Sequence, residues 1–337
     1  MHLPTPTHTF TIPSLHDGIR LDCRIYHPQG WLHPSNTSGQ RIRGAIVAHP
    51  YASLGGCYDD PVVSFVAGEF LRAGCVVGTF NFRGAGGSEG RTSWTGRPEL
   101  ADYASFYGFM LLYLHRLRGC RPTSLGERGD DYQAVQLILG GYSYGSMIAS
   151  SLPHLNLIAD VVRQSRHGTP MHEIYQVARD LAYCLEEDKD ILEQNQNTRQ
   201  EMENAADAIQ STMIAYLLVS PILPPLNRFL TLFAKPSLEI QVYDSAERRS
   251  IPCPQPADQI CAHETLALYG TQDTFTSVHK LQTWSTELIQ KPSSKFLSAE
   301  IDGAGHFWRE DGVRSQARDA IRNWLYRIHL APAVASG

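Results

Sequence analysis

A pentapeptide, G-Y-S-Y-G at residues 141–145, constrains the fold of this 337-residue chain more than any other feature. The apolar run A-V-Q-L-I-L precedes it at 134–139, and residues that can start a helix, S-M-I-A-S, follow at 146–150. Between a buried strand and a helix, a G-x-S-x-G segment forms a sharp turn that lifts its serine above a sheet. Glycines are needed because neighbouring side chains would collide there. The pattern therefore predicts a strand, a turn carrying Ser143, and a helix whose first N–H groups face a negative charge.

A second G-x-S-x-G match, G-G-S-E-G, occupies residues 86–90 and also follows an apolar run. The residues behind it, R-T-S-W-T-G-R-P, cannot start a helix at once, and their glycine and proline indicate a loop. We interpret Ser88 as a loop serine and Ser143 as the nucleophile.

Short apolar runs alternate with helical patterns along most of the chain, which predicts an α/β fold. Runs of this kind are typical of a mostly parallel sheet, here of eight strands, with helices on both faces. Strands are predicted at 9–12, 20–26, 44–48, 76–81, 136–140, 215–219, 265–269 and 296–301, and helices at 61–73, 99–117, 146–152, 278–290 and 312–328.

Two stretches interrupt this alternation, so we divide the chain into a core, 1–154 and 211–330, a helical insertion, 155–210, and a surface excursion, 236–262. Apolar residues from Ile174 to Leu185 recur at helical spacing, which predicts that one face of the insertion is packed. The insertion is either a lid over the site or a helical hairpin without a functional role. A lid should bring apolar side chains close to Ser143.

Charge and hydropathy narrow the classes of partner and compartment. The net charge is −5 and no stripe of Lys and Arg occurs, so a nucleic-acid partner is not expected. No window approaches 18 uninterrupted apolar residues, so no membrane span is expected. The first residues lack the basic start and apolar stretch of a secretory signal, which favours a cytoplasmic protein. The oligomeric state is left open.

Cysteines and histidines give no sign of a metal or a disulfide framework. The seven cysteines, Cys23, Cys75 and Cys184 among them, include no C-x-x-C pair, so we expect free thiols in a reducing compartment. The fourteen histidines include no H-x-x-x-H spacing. We therefore predict no metal and no organic cofactor.

A serine in such a turn needs a base and an acid, which follow it in the order Ser, Asp or Glu, His. Three residues separate Asp273 from the predicted strand at 265–269, and His306 follows Gly303 and Gly305 in the loop after the last predicted strand. We take these two as acid and base. Asp302 and Asp244 are the alternative acids, and His263 and His279 the alternative bases, but they fit the order and the strand ends less well.

A tetrahedral intermediate also needs two backbone N–H donors for its oxyanion. One should be the N–H of Tyr144, the residue after the nucleophile. We assign the other to Tyr51, with Ala52 as the alternative, in the segment A-H-P-Y-A-S-L-G-G at 48–56. His49 is interpreted as a structural hydrogen-bonding residue of that loop.

The glycine-rich segment F-N-F-R-G-A-G-G-S-E-G at 80–90 suggests a dinucleotide site at first sight. Its G-x-G-x-x-G spacing fails because Glu89 stands where the last glycine should be. We interpret Arg83 and its glycines as a structural loop that supports the site.

These motifs together resemble the α/β-hydrolases. The similarity is greatest to a small bacterial and fungal branch that carries HP…GG, FNFRGxGxSxG and GxSxG, here at 48–56, 80–90 and 140–146. The segment L-V-S-P at 218–221 is also similar. The resemblance implies the same nucleophile, base and acid as the residues do. The chain departs from the branch at Tyr51, where a second histidine is frequent, and in its helical insertion.

The sequence therefore predicts a serine hydrolase that cleaves an ester or thioester of a hydrophobic acyl group through an acyl-enzyme on Ser143. The proline-rich stretch at 221–226 supplies Leu223 and Leu226 as substrate-binding residues, with Phe229 beyond it, although this stretch could equally be ordinary core. Two other functions stay open. One is an acyl-transferring cyclase of a biosynthetic pathway that uses the same three residues, and the other is a non-catalytic ligand-binding protein of this fold.

Overall fold

The computed structural model describes residues 3–29, 31, 41–119, 135–183, 198–226, 237–241 and 248–330. The strands are β1 (His8–Pro13), β2 (Arg20–Tyr26), β3 (Ile42–Ala48), β4 (Val76–Phe80), β5 (Val135–Tyr142), β6 (Met213–Val219), β7 (Ser237–Gln241), β8 (Arg248–Pro252), β9 (Glu264–Gly270) and β10 (Phe296–Ile301). The helices are α1 (Pro61–Arg72), α2 (Arg97–Gly119), α3 (Tyr144–Ser150), α4 (Leu155–Arg163), α5 (Pro170–Tyr183), α6 (Thr198–Gln210), α7 (Pro256–Ala262), α8 (Val278–Ile289) and α9 (Val313–Leu330).

An eight-stranded sheet of order β1-β2-β4-β3-β5-β6-β9-β10 forms the centre of the molecule. Only the pairs β1–β2 and β2–β4 are antiparallel, and the other five pairs are parallel. All eight predicted strands are present in this sheet, so the prediction of a mostly parallel sheet is confirmed. Strands β4 and β5 are buried along their whole length, because helices cover both faces of the sheet.

Two apolar cores lie on opposite faces of the sheet. On one face, α1 and α9 pack side chains such as Phe70 and Ile321 against Val77, Ile138 and Leu217. On the other, α2 packs Phe106 and Met110 against strand residues that include Phe80. Every side chain of α2 from Glu99 to Leu114 is buried, because the sheet covers one side of this helix and later elements cover the other.

The helical insertion forms α4, α5 and α6, which pack against α2, while α5 also reaches β1. Within the segment predicted as a surface excursion, β7 and β8 form an antiparallel hairpin against α2. Leu238 of β7 and Ile260 of α7 are buried, and the Gln259 side chain of α7 donates a hydrogen bond to the Tyr216 hydroxyl (2.9 Å). Part of this segment therefore completes the packing around α2 and β6.

Two predictions from composition bear on the described residues. None of the helices in the described ranges is long and apolar enough to cross a membrane. Among the described residues, Cys23, Cys57, Cys75, Cys253 and Cys261 are free thiols. Cys184 lies outside the described residues.

Candidate active site

The turn between β5 and α3 presents Ser143 at the carboxyl edge of the sheet. Its backbone has φ 56° and ψ −115°, a combination that residues with side chains rarely adopt. The Ser143 N–H donates to the Val219 carbonyl (2.8 Å), and the Ser146 hydroxyl donates to the Ser143 carbonyl (2.7 Å). Two hydrogen bonds therefore hold the turn from β6 and from α3.

Both glycines of the pentapeptide are required by close backbone contacts. A Cβ atom at residue 141 would lie 2.3 Å from the carbonyl carbon of Gly145. At residue 145 it would lie 2.5 Å from the carbonyl oxygen of Ala48. Contacts this short to backbone atoms cannot be relieved by rotating a side chain. The steric requirement inferred from the sequence is therefore present at both positions.

His306 and Asp273 lie beside Ser143, in line with it. The His306 Nε2 atom is 2.8 Å from the Ser143 hydroxyl oxygen, and the Nδ1 atom is 2.8 Å from Asp273 Oδ2. An Nδ1–H that donates to the carboxylate leaves Nε2 as the acceptor for the serine proton. The three residues follow β5, β9 and β10, whose carboxyl ends lie at one edge because these strands are parallel.

Asp273 is nearly fully buried and oriented by the backbone of its own loop. Its Oδ1 atom accepts hydrogen bonds from the N–H groups of Phe275 (2.8 Å) and Thr276 (3.0 Å). Burial alone would raise the pKa of this carboxyl. The hydrogen bond from His306, its electrostatic interaction with the carboxylate and these two amides outweigh burial, so the pKa of Asp273 is lowered. The carboxylate therefore stays ionised and faces Nδ1 of the imidazole.

The loop that carries His306 is braced by residues that the sequence did not single out. The Tyr142 hydroxyl donates to the His306 carbonyl (2.8 Å). The indole N–H of Trp308 donates to the Ser220 hydroxyl (2.8 Å). The segment L-V-S-P at 218–221 was the only sequence signal that pointed to Ser220.

The segment proposed to supply the second oxyanion donor is tightly folded. The Tyr51 carbonyl accepts hydrogen bonds from Leu54 N–H (3.1 Å) and Gly56 N–H (3.2 Å). The Tyr51 ring packs on the Tyr144 ring, with 5.0 Å between their centroids. These contacts bring the two predicted donor residues next to each other, and the oxyanion role of their N–H groups stays a prediction.

His49 connects this loop to the end of β4. Its Nε2 atom accepts a hydrogen bond from Phe82 N–H (2.9 Å), and Nδ1 lies 2.6 Å from the Pro50 carbonyl, to which it donates. Burial lowers the pKa of His49 to about 4, against an opposing effect of the Pro50 hydrogen bond. The imidazole is therefore neutral and structural, as interpreted from the sequence.

The loop after β4 is likewise a structural element. The Ser88 hydroxyl donates to the Asn81 carbonyl (2.7 Å) and accepts from Asp22 N–H (2.8 Å). The Arg83 guanidinium binds Asp102 (2.7 Å) and Asp17 (3.0 Å). The Ser88 hydroxyl therefore binds backbone groups of Asn81 and Asp22, which agrees with its interpretation as a loop serine.

The predicted substrate-binding residues have different positions relative to this site. Leu223 is half-buried, and its N–H donates to the Thr276 hydroxyl (3.4 Å) in the loop that orients Asp273. Leu226 is also half-buried. Phe229 lies outside the described residues. Contact with a substrate stays a prediction for all three.

A separate cleft of about 1050 Å³ lies between the helical insertion and the β7–β8 hairpin. Residues that line it include Leu157, Met202 and Ile251, whereas Ser143 and His306 do not. In the described part of the insertion, α4 and α6 thus border a cleft whose lining does not include Ser143 or His306. A lid function for the insertion stays a prediction.

Solved structures of other proteins are similar to this chain over nearly its whole length. A serine hydrolase homologue from Coxiella burnetii is 17% identical, with 98% of this chain and 100% of that chain covered and a TM-score of 0.50. A serine hydrolase from Xanthomonas campestris, described as lacking a lid, is 16% identical, with coverage of 98% and 99% and a TM-score of 0.50. Est1E from Butyrivibrio proteoclasticus, solved with ferulic acid bound, is 13% identical, with coverage of 94% and 98% and a TM-score of 0.51.

These likenesses extend over nearly the whole chain at low identity, so they define the fold. The chain has the α/β-hydrolase fold, as its motifs predicted. No protein-family model matches the sequence, and no curated protein sequence is significantly similar to it.

Proposed function

We propose that this protein is a serine hydrolase that cleaves an ester or thioester through an acyl-enzyme on Ser143. One observation carries the proposal. The Ser143 hydroxyl, the His306 imidazole and the Asp273 carboxylate are joined by two contacts of 2.8 Å each. This is the arrangement in which an imidazole can take a proton from serine while a carboxylate fixes its tautomer.

The reaction follows from the roles of the three side chains. Ser143 Oγ attacks the carbonyl carbon while its proton moves to Nε2 of His306. The imidazolium then gives this proton to the departing alcohol or thiol as the bond to carbon breaks, which leaves the acyl group on Ser143. Water attacks the acyl-enzyme with His306 again as the base, and the carboxylic acid is released. Asp273 stays ionised throughout.

The N–H groups of Tyr144 and Tyr51 are the proposed donors to the oxyanion. Tyr144 follows the nucleophile at the start of α3, and its ring packs on that of Tyr51. Removal of one such donor typically costs about 3–4 kcal/mol of transition-state stabilisation. Because both donors are backbone groups, the conformation of the loop after β3 determines their position.

A hydrophobic acyl group is the proposed substrate class. Leu223 supports it, because it brings a half-buried apolar side chain to the site. Its N–H donates to Thr276, which belongs to the loop that orients Asp273. The solved structures described as serine hydrolases support the reaction type, and the ferulic acid in Est1E shows that a carboxylic acid binds that protein.

The test compares wild type, Ser143→Ala and Ser88→Ala on p-nitrophenyl esters and matching thioesters from acetyl to dodecanoyl. Loss of the nucleophile should lower kcat by about 10⁴-fold or more, whereas Ser88→Ala should keep most of the activity in folded protein. Free acid as the product supports hydrolysis, while a cyclised or transferred acyl product supports the acyl-transfer alternative. Equal activity of wild type and Ser143→Ala would contradict the proposal.

A further inference from the structure

Two partly exposed phenylalanine rings flank the imidazole of His306. Phe275 is 38% exposed and Phe307 is 51% exposed, whereas His306 is only 4% exposed. The Phe275 ring lies 4.2 Å from the imidazole centroid at an interplanar angle of 33°. The Phe307 ring lies 5.6 Å away at 86°. Both rings thus contact the proposed base and also face solvent.

Both rings also make contacts beyond the imidazole. Phe275 donates its N–H to Asp273 Oδ1 (2.8 Å), and Phe307 follows His306 directly in the chain. The two rings meet edge to face, with 5.7 Å between centroids. The Arg309 guanidinium lies 5.3 Å from the centroid of the Phe307 ring, within the range of a cation–π contact. Little ordering is needed before a third ring can pack against them.

The chemistry of the proposed reaction determines which part of a substrate reaches this place. In the tetrahedral intermediate the oxyanion faces the N–H donors, whereas the leaving oxygen faces Nε2 of His306, which must give it a proton. The group attached to the leaving oxygen therefore lies beside the imidazole, where Phe275 and Phe307 present partly exposed rings. This step rests on the proposed function.

We propose that Phe275 and Phe307 form a platform for an aromatic leaving group, so that esters of aromatic alcohols are the preferred substrates. An aromatic ring in the departing group can pack edge to face or offset against these rings. A saturated ring of the same size buries a similar area but lacks the additional aromatic–aromatic attraction. As the carbon–oxygen bond breaks, His306 donates its Nε2 proton to the departing oxygen. The neutral aromatic alcohol then leaves, and the acyl group stays on Ser143.

The experiment compares kcat/KM for benzyl acetate and cyclohexylmethyl acetate, which share the acyl group and have leaving groups of similar size. Wild type should prefer the benzyl ester by about two- to tenfold, the factor expected of one good aromatic contact. Phe275→Leu and Phe307→Leu should each reduce this ratio towards one. Tyr326→Leu, at a 69% exposed tyrosine on α9, is the matched control and should keep the wild-type ratio.

A ratio of one in wild type would overturn the platform. So would Phe→Leu variants that lower both rates equally with the ratio unchanged, since the rings would then only shield the imidazole.

Inhibition of wild type by benzyl alcohol and by cyclohexylmethanol makes the same comparison without a variant, and equal inhibition counts against the platform. Fluorophosphonate labelling of wild type separates the two proposals. Labelling of Ser143 with a ratio of one removes the platform alone, and no labelling removes the hydrolase function with it.

Discussion

Ser143 has an unfavourable backbone conformation, and the glycines on either side of it are in close contact with backbone atoms. A residue held in a sparsely populated region of φ and ψ costs about 1–3 kcal/mol, and Ser143 has φ 56° and ψ −115°. The hydrogen bonds from Ser143 N–H to Val219 and from Ser146 to Ser143 offset part of this cost. This conformation places the Ser143 hydroxyl beyond the end of β5, at hydrogen-bond distance from His306.

Gly145→Ala tests this account of the turn. The new Cβ would lie 2.5 Å from the Ala48 carbonyl oxygen, so the strand end or the turn must shift. We expect a loss of about 1–3 kcal/mol in the free energy of unfolding and a large fall in kcat. Urea unfolding and ester hydrolysis measure the two effects.

Gly108→Ala in α2 is the matched control for that substitution. There the Cβ would meet the flexible end of the Met171 side chain, 2.9 Å away, which can move aside. If Gly145→Ala were as stable and as active as Gly108→Ala, the steric account of the turn would be wrong.

The residues brought together at the site could be predicted to different degrees. Ser143, Asp273 and His306 were predicted from their order and from their places after strands, because parallel strands bring such positions to one edge. Phe275, Phe307 and the bracing Tyr142 were not. Their roles depend on how loops fold over the imidazole, and a loop contact has no period along the sequence.

At the scale of elements, the loop after β4 depends on one buried ion pair. Two Arg83 nitrogens bind the two oxygens of Asp102 at 2.7 and 2.9 Å, and the side chains are 6% and 0% exposed. The next residue back, Phe82, donates its N–H to His49 in the neighbouring loop. The ion pair therefore supports both loops at the end of the sheet where Ser143 lies.

Arg83→Met should leave Asp102 buried without its cation, and loss of one partner of a buried pair costs about 3–5 kcal/mol. The matched control is Arg163→Met, which removes ion pairs to Asp160 and Asp207 that lie at the surface and should leave the urea midpoint nearly unchanged. Equal midpoints for the two variants would show that the loop does not depend on the Arg83 pair.

Most elements could be predicted because they are long apolar runs or strongly periodic helices. The eight central strands and the predicted helices around them are such segments. The β7–β8 hairpin was not predicted. Strand β8 reads R-R-S-I-P and is largely exposed, so its residues carry almost no apolar alternation. It forms because β7 buries Leu238 against α2, a tertiary contact that the local sequence does not encode.

At the scale of the whole molecule, buried and half-buried histidines that stay neutral link stability to pH. Burial lowers the pKa of His27, His49, His115 and His263 to about 4 from the ordinary value of 6.5. In each case the folded state resists protonation, whereas the unfolded chain takes up a proton near pH 6.5. Their contribution to stability is therefore complete above pH 6.5 and is lost as the pH falls towards about 4.

We expect the free energy of unfolding to fall steeply between about pH 6.5 and about pH 4, by up to about 1.4 kcal/mol per pH unit for each histidine. Urea unfolding across this range measures the slope. His49→Gln keeps a donor and an acceptor but does not titrate. It should therefore remove the contribution of one proton, up to about 1.4 kcal/mol per pH unit, from the slope. A stability that does not change with pH in this range would contradict the account.

The central claim is that Ser143, Asp273 and His306, distant in the chain, act as one unit in the folded molecule. Reaction with a fluorophosphonate, followed by peptide mass spectrometry, tests it most directly. The account predicts a single labelled residue, Ser143, with labelling abolished in Ser143→Ala and strongly reduced in His306→Asn. Folded protein that takes up no label, or that carries it on Ser88 or elsewhere while Ser143→Ala labels like wild type, would contradict it.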